Sequence, residues 1–336
     1  MTVFEIHSGE NQCIKGVDNM DKPNILVVGS MNMDVMIYGA DRLPAYGESI
    51  MCRSYRSIPG GKGSNQAMAA SFQGGRVKMV GRVGDDINGH TLVEGLKQAG
   101  VDTRHIILDG NSQTGYDPLI VYDSGKYVSF VVMGANDCLD HRQVSRALAA
   151  EKFDMILMQL EMPLETIYKT VEYARAANIP VFLDAGPIRE IDLAQLKGIA
   201  IISPNEAETK ALTGIEADSC ENALKAAEYL YAAAQPQYVI LKMGEKGAFV
   251  YDGQEAYEVP AFSVEAVDST GAGDTFGATL AVRLCKGEAM KAAVRFANAA
   301  AALCVSKKGA QTSIPTEAET IEFVRRYDKR RKEDEG

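Results

Sequence analysis

Histidine and paired cysteines are scarce in this chain. Its 336 residues hold four histidines and six cysteines, Cys13, Cys52, Cys138, Cys220, Cys285 and Cys304, with no Cys-x-x-Cys pair. That spacing excludes the usual zinc-binding patterns. No cysteine has an adjacent histidine to activate it, so free thiols in a reducing compartment are expected. Long apolar runs are also missing: none approaches the ~20 residues of a membrane span. The first residues, with His7, Glu10 and Asp18, lack the basic-then-apolar order of a signal peptide, and the expected compartment is the cytoplasm. Positive charge is in deficit. A net charge of −10 argues against a general nucleic-acid or anionic-membrane partner and leaves room for a local basic pocket. What is present is an ordinary globular composition, 46% hydrophobic and 24% charged, long enough for one large α/β domain or two smaller ones.

Residues 1–23 show neither helical nor strand period and end in Asp21-Lys22-Pro23, so they read as a loosely held extension. Short apolar runs follow at 25–28, 155–160, 181–183, 199–202 and 238–241, with helix-length segments such as 164–177 and 223–234 between several of them. Strands alternating with helices predict a mainly parallel sheet covered on both faces, an α/β three-layer core. Residues 49–58 and 114–133 break the rhythm with shorter alternating patterns and a turn signal at Asp123-Ser124-Gly125. They predict antiparallel strands forming a small sheet over a pocket, and a sheet so isolated invites pairing with a second subunit. The basic run 325–332 is offset by Glu333, Asp334 and Glu335 and reads as a solvated helix end and charged tail over 326–336.

The most informative stretch is Asp268-Ser269-Thr270-Gly271-Ala272-Gly273-Asp274-Thr275-Phe276. Small residues let successive backbone N–H groups converge on an anion, and the helix that follows points its positive end at the same place. A carboxylate beside a bound phosphate is repelled unless it has a task, and taking a proton from an attacking hydroxyl is the obvious one. Alone, the run fits equally a glycine-rich helix entry with Asp274 as N-cap.

Gly60-Gly61-Lys62-Gly63-Ser64-Asn65 is the second glycine cluster. It fails the P-loop template, because Gly63 follows Lys62, and the dinucleotide fingerprint, because Gln66 stands where a third glycine belongs. What remains is a tight turn presenting Lys62 and Asn65 to hydroxyls or phosphate oxygens. Asn32 and Asp34 follow the first strand on one side of an extended segment, where they suit adjacent hydroxyls or a local turn. Glu161 closes the strand that begins at Met155. Asn205-x-x-Glu208 fits either a helix capping box or a Mg²⁺-positioning pair. Lys242-x-Gly244-x-x-Gly247 is a weak glycine loop.

In order and spacing these elements resemble the ribokinase family of carbohydrate kinases, the PfkB group, from about Asn24 to Ile314. The signature regions are Gly60 to Gly84 and Asp268 to Ala278, and Asn32-x-Asp34, Gln159-Leu160-Glu161 and Gly134-Ala135-Asn136 match the ribokinase pattern within it. The resemblance implies a ribokinase-like domain over 24–325, with a β-lid from about 37–60 and 112–134 that often mediates a homodimer. It implies ATP-dependent transfer of phosphate to a sugar hydroxymethyl, D-ribose first. Asn32, Asp34, Gly61, Lys62, Asn65 and Glu161 would then hold the sugar, and Asp274 would be the base, with Gly271, Ala272 and Gly273 as the anion hole. Asn205 and Glu208 would organise Mg²⁺ through water, and Lys242, Gly244, Gly247 and Asn298 would border the nucleotide along with Asn205. For K⁺ the matching positions are Asp268, Thr270, Cys304, Lys307, Gly309 and Ser313.

Three departures qualify the match. Tyr116-Asp117-Pro118 replaces small apolar residues on the lid, and Asp117 near the sugar would favour another hydroxyl, as in other pentoses or a ketohexose; 2-deoxyribose is a further rival. Asp184-Ala185-Gly186-Pro187 and Thr279 read as packing or loop variants. Rival functions are a non-catalytic sugar sensor, which the intact Asp274 opposes, and a nicotinamide oxidoreductase, which the missing fingerprint opposes.

Overall fold

The structure, a computed structural model, describes residues 22–122 and 127–334; residues 1–21 of the expected extension and the turn signal at Asp123-Ser124-Gly125 lie outside it. Along the chain run β1 (Asn24–Val28), β2 (Asn32–Tyr38), β3 (Ser54–Gly60), α1 (Lys62–Phe72), β4 (Arg76–Gly84), α2 (Ile87–Gln98), β5 (Asp102–Asp109), β6 (Gly115–Val121) and β7 (Tyr127–Ser129). Then come α3 (His141–Ala150), β8 (Met155–Met158), α4 (Leu164–Ala176), β9 (Val181–Asp184), β10 (Ile201–Ser203), α5 (Glu206–Thr213) and α6 (Cys220–Ala234). The last elements are β11 (Tyr238–Lys242), β12 (Ala248–Tyr251), β13 (Ala256–Val259), α7 (Ala272–Cys285), α8 (Met290–Val305) and α9 (Glu317–Asp334).

Nine strands form one sheet in the order β13-β12-β11-β10-β9-β8-β1-β4-β5, parallel from β11 through β5 and antiparallel at the β12 and β13 edge. Period-2 alternation divides its side chains between two cores. Ile25 and Val27 of β1 pack with Ala67, Ala70, Phe276 and Leu280 of α1 and α7. Leu26 and Val28 pack on the other face with Val144, Ile167, Val171 and Leu230 of α3, α4 and α6. The expected three-layer α/β architecture is the one found.

A second sheet, β3-β2-β6-β7, is the lid. It begins at Asn32, earlier than the 37 expected, because β2 leaves the core strand after a three-residue turn. The strand expected over 49–58 starts only at Ser54. The β2–β6 pair is parallel, not antiparallel, with Asn32 opposite Gly115 and Asp34 opposite Asp117. A parallel neighbour needs a long crossover, and residues 39–114, carrying α1, β4, α2 and β5, supply it. The end expected as a tail continues α9 to Asp334. Tyr327 stacks edge-on against Phe262 with ring centroids 4.7 Å apart, which docks that part of the helix.

Candidate active site

The cleft lies where β1 has β4 on one side and β8 on the other, the point at which successive connections leave a parallel sheet in opposite directions. Residues from five strand ends meet there: Ser30 and Asn32 after β1, Glu161 after β8, Asp184 at the end of β9, Asn205 after β10 and Lys242 at the end of β11. The Gly60–Gly63 turn is wedged against the first of these. Gly61 has φ of 90°, and a Cβ there would come within 2.7 Å of the Asn32 backbone nitrogen, so no larger residue fits. The Ser64 backbone N–H donates to the Ser30 carbonyl at 2.9 Å, and the Lys62 N–H donates to Glu161 Oε2 at 3.0 Å. Glu161 also accepts from the Ser30 hydroxyl. The turn and two strand ends are thereby one rigid unit.

Asp274 sits in the first turn of α7, not at its N-cap. Gly271 is the N-cap, in the left-handed region at φ of 78°, so Ala272 and Gly273 are already helical. The Asp274 carboxyl is buried, accepting from Asn65 Nδ2 at 3.0 Å and Gln66 Nε2 at 3.2 Å, with Lys62 Nζ 3.9 Å away. Burial pushes its pKa up to about 6; Lys62 works against the rise and Asp184 adds to it. A carboxyl so placed is ionised at neutral pH yet basic enough to take a proton, the property of a general base. The helix start beside it also faces Lys242, since a Cβ on Gly273 would lie 3.6 Å from the Lys242 ammonium.

On the lid side, Asn32 is buried and its Oδ1 accepts from Asn136 Nδ2 at 2.7 Å. Asn136 in turn accepts from the Met31 N–H at 2.9 Å, fixing the chain as it enters β2. Asp34 and Asp117 are register partners on adjacent strands and so share a face. Burial, then Asp117, Glu161 and Asp274, pushes Asp34 up to about 8. Asp117 is raised by burial and then by Glu161, and its Oδ1 is buried with no hydrogen-bond partner. Asp117 is thus turned away from solvent on the lid face that it shares with Asp34.

On the other side, Asn205 and Glu208 form a complete capping box for α5: Glu208 N–H donates to Asn205 Oδ1 at 2.9 Å and Asn205 N–H to Glu208 Oε2 at 2.7 Å. The buried Glu208 also stands 3.9 Å from Lys62 Nζ and 4.0 Å from Lys242 Nζ. Gly244 and Gly247 lie in the turn between β11 and β12. Asn298 spends its amide hydrogens on the Val259 and Pro260 carbonyls at 2.9 and 3.1 Å, so it holds the chain after β13.

The loop before α7 is tied by Asp268, whose carboxylate accepts from the Thr270 N–H, the Thr270 hydroxyl and the Gly309 N–H at 3.0, 2.7 and 2.9 Å. Cys304 is buried with its Sγ 3.0 Å from Ser313 Oγ, and burial pushes the thiol up, keeping it neutral. The Lys307 ammonium points away to Glu319 at 3.4 Å, so only its backbone remains near the loop.

Sequence reasoning missed Asp184, read as a loop variant. It is fully buried at the centre of the cleft, accepting from Lys242 Nζ at 2.5 Å, Gln66 Nε2 at 3.0 Å and Lys62 Nζ at 3.4 Å. Burial opposes its ionisation, but Lys242 and Lys62 hold it below the usual carboxylate range. Although burial pulls the other way, Asp184, Asp274, Glu208 and Glu161 raise Lys62 above its ordinary range. Gln66, noted only for breaking the dinucleotide fingerprint, also reaches this centre. A charged residue ending a buried apolar strand was the available signal for Asp184; Gln66 had none.

Phosphoryl transfer needs mainly positioning and charge. The cleft supplies both on one sheet edge, and fold and site together define a small-molecule kinase. Comparison with known proteins narrows this: residues 22–317 match the pfkB family of carbohydrate kinases, and the chain belongs to that family. The ribokinase of Bacillus subtilis (strain 168) is 36% identical over 302 residues, covering 90% of this chain and 99% of its own. The deoxyribokinase of Salmonella typhi is 32% identical over 303 residues, covering 90% and 98%. Among solved structures, Arabidopsis thaliana ribokinase complexed with ribose and ATP matches with a TM-score of 0.82 at 30% identity, over 90% of this chain and 99% of that one. The family expected from the motifs is the one found.

Proposed function

We propose that this carbohydrate kinase transfers the γ-phosphoryl of ATP to the terminal hydroxymethyl of a pentose, D-ribose foremost. The observation that carries the reading is the buried Asp274 at the first turn of α7, held by Asn65 and Gln66 and raised to about 6. The sugar lies between lid and sheet, with Asn32, Asp34, Gly61, Lys62, Asn65 and Glu161 around its hydroxyls. Asp274 accepts the proton of the attacking hydroxyl. Backbone N–H groups of the Gly271-Ala272-Gly273 turn face the charge on the transferring group, that of Ala272 being shared with the Ser269 carbonyl 3.2 Å away. Lys242 and the Gly244–Gly247 turn border the nucleotide beside Asn205 and Asn298.

Two metal ions belong to this reading. Among the described residues, no cluster of three His, Cys, Asp or Glu side chains forms a protein cage for a metal. Glu208, a buried carboxylate beside Asn205 at the start of α5, would with Asn205 hold Mg²⁺ through water, and the ion would supply charge neutralisation there. The Asp268 carboxylate, which ties the loop before α7 to Gly309, would supply one hard oxygen of a set for K⁺. The carbonyls of Thr270, Cys304, Lys307 and Gly309 and the Ser313 hydroxyl complete that set; the neutral Cys304 thiol does not. Activity is expected to be severalfold higher in K⁺ than in Na⁺ at matched ionic strength. Equal rates would remove Asp268 and its loop from any cation role.

Among the described residues, no helix is long and apolar enough to cross a membrane, and the proposed compartment is the cytoplasm. The lid leaves Tyr55, Tyr116, Phe130, Val131 and Val132 exposed, a surface that a second copy of the chain covers in the proposed homodimer.

A coupled ADP-release assay over ribose, 2-deoxyribose, other pentoses and ketohexoses tests the function. Ribose is expected to give the highest kcat/KM, and a panel with no sugar-dependent turnover would overturn the kinase reading. The same panel run on Asp117→Ala is expected to change selectivity between sugars about tenfold. That needs only ~1.4 kcal/mol, within reach of one hydrogen bond to a charged group. Equal scaling for every sugar would place Asp117 outside the specificity pocket.

A further inference from the structure

Beneath Asp274 runs a chain of buried polar side chains that substrate contacts alone do not explain. A fully buried carboxylate is stable only when paired and hydrogen-bonded. Asp184 meets that condition with two cations arriving from opposite sides of the cleft. Lys62 comes from the glycine turn on the lid side, at 3.4 Å, and Lys242 from the end of β11, at 2.5 Å. Asp184 is thus the anion that joins the sugar-side turn to the strand end beside the start of α7.

Gln66 adds a second link. Its Nε2 lies 3.0 Å from Asp184 Oδ2 and 3.2 Å from Asp274 Oδ1, so one amide group supplies a hydrogen to each of two buried carboxylates. The orientation is dictated by chemistry, because flipping the amide would set its oxygen against two acceptors. It is also locked from behind, since Gln66 Oε1 accepts from Gln159 Nε2 at 2.6 Å. Gln66 and Gln159 are both buried, out of reach of solvent competition.

We infer that Asp184 and Gln66 are positioning residues for the reaction: Asp184 fixes the two lysines, and Gln66 braces the Asp274 carboxylate against Asp184 so that its free lone pairs stay aimed at the substrate hydroxyl. The inference rests on Asp274 being the base. The charged groups facing Asp274 are Lys62 from the turn before α1, Asp184 from β9, Glu161 from the end of β8 and Asp34 from β2. Lys242 and Glu208 act on it through Lys62 and Asp184. The two positioning groups have opposite electrical effects. Asp184 places a negative charge near Asp274 and disfavours its ionised form, whereas the Gln66 N–H favours it.

The test is kcat/KM for the sugar against pH in the wild type, Asp184→Asn and Gln66→Met, with circular dichroism and thermal melts to verify folding. The acidic limb of this profile near pH 6 reports the base in the free enzyme, Asp34 adding a separate step near pH 8, and it is the limb near 6 that the variants are expected to move. In Asp184→Asn, which keeps the volume and loses the charge, the limb is expected to move about one unit toward lower pH. In Gln66→Met it is expected to move toward higher pH. Opposite shifts support the positioning roles; a side chain that merely filled space would leave the limb where it was. Limbs that stay put, or move the same way in both variants, while Asp274→Asn remains inactive, overturn the inference and leave the base in place. An active Asp274→Asn overturns the base itself. Should Gln66→Met fail to fold, the near-isosteric Asp184→Asn decides alone, a motionless limb counting against the inference.

Discussion

Asp274→Asn is expected to lower kcat about 10²–10⁴-fold, the usual effect of losing a general base, while sugar affinity by calorimetry stays within about threefold. Asparagine has the same shape and still accepts one hydrogen bond, so Asn65 and Gln66 lose only part of their pairing. What it lacks is the second acceptor and the ability to hold a proton, which matter in the transition state and not in the ground state. The pH dependence follows with a definite sign. Asp274 must be ionised to act, and burial raises it to about 6, so wild-type kcat/KM should fall as pH drops through that region. Asp274→Asn should lack that limb. A variant keeping more than about a tenth of wild-type kcat would take the base role from this residue.

Asp34→Ala is expected to raise the sugar KM about 10²-fold with little change in ATP affinity. Hydrogen bonds to a charged group in a desolvated site are worth about 1.5–3 kcal/mol each, and removing the acceptor also strands the hydroxyls that used it. Asp34 shares its face of the lid with Asp117, and burial with the neighbouring carboxylates lifts it to about 8. In the free enzyme at pH 7 its carboxyl therefore holds a proton, whereas an acceptor of two hydroxyl hydrogens is best ionised. Sugar binding should then release protons, and the wild-type sugar KM should fall as pH rises from about 6 toward 8. Calorimetry in buffers of different ionisation enthalpy measures that release directly. Unchanged sugar binding in Asp34→Ala would detach the start of β2 from the sugar site.

Much of this was legible in the residues. The run Gly271-Ala272-Gly273-Asp274 was legible in combination: alone it fits a capped helix entry, and its order and spacing with the Gly60–Gly63 turn and the strand-end motifs gave it its chemistry. The Gly60–Gly63 turn was legible as a turn: Gly61 tolerates a backbone conformation that other residues avoid, and its neighbour Lys62 is the only cation there. Asn205 and Glu208 were left open between a capping box and a metal pair. The box is formed, and the same buried Glu208 stands near both lysines; its part toward Mg²⁺ belongs to the proposed function. Asn298 was harder to read, because the sequence says nothing of the Val259 and Pro260 carbonyls to which its amide is bound.

By itself the sequence determined the alternation of strands and helices, the two glycine turns, the acid that follows the second and the family to which the chain belongs. These are encoded in short windows, through side-chain period, backbone freedom and nearest-neighbour chemistry. Only the tertiary structure decided that the lid pairs β2 with β6 in parallel, since residues 39–114 separate those strands in sequence while hydrogen bonds join them in space. It alone placed Asp117 beside Asp34, and set Asp184 between Lys62 and Lys242, residues 122 and 58 positions away from it. Electrostatics depends on distance through space and on exclusion of water, and neither can be read from order along a chain. The pKa values of Asp34 and Asp274, and with them the direction of every pH effect expected here, therefore belong to the fold.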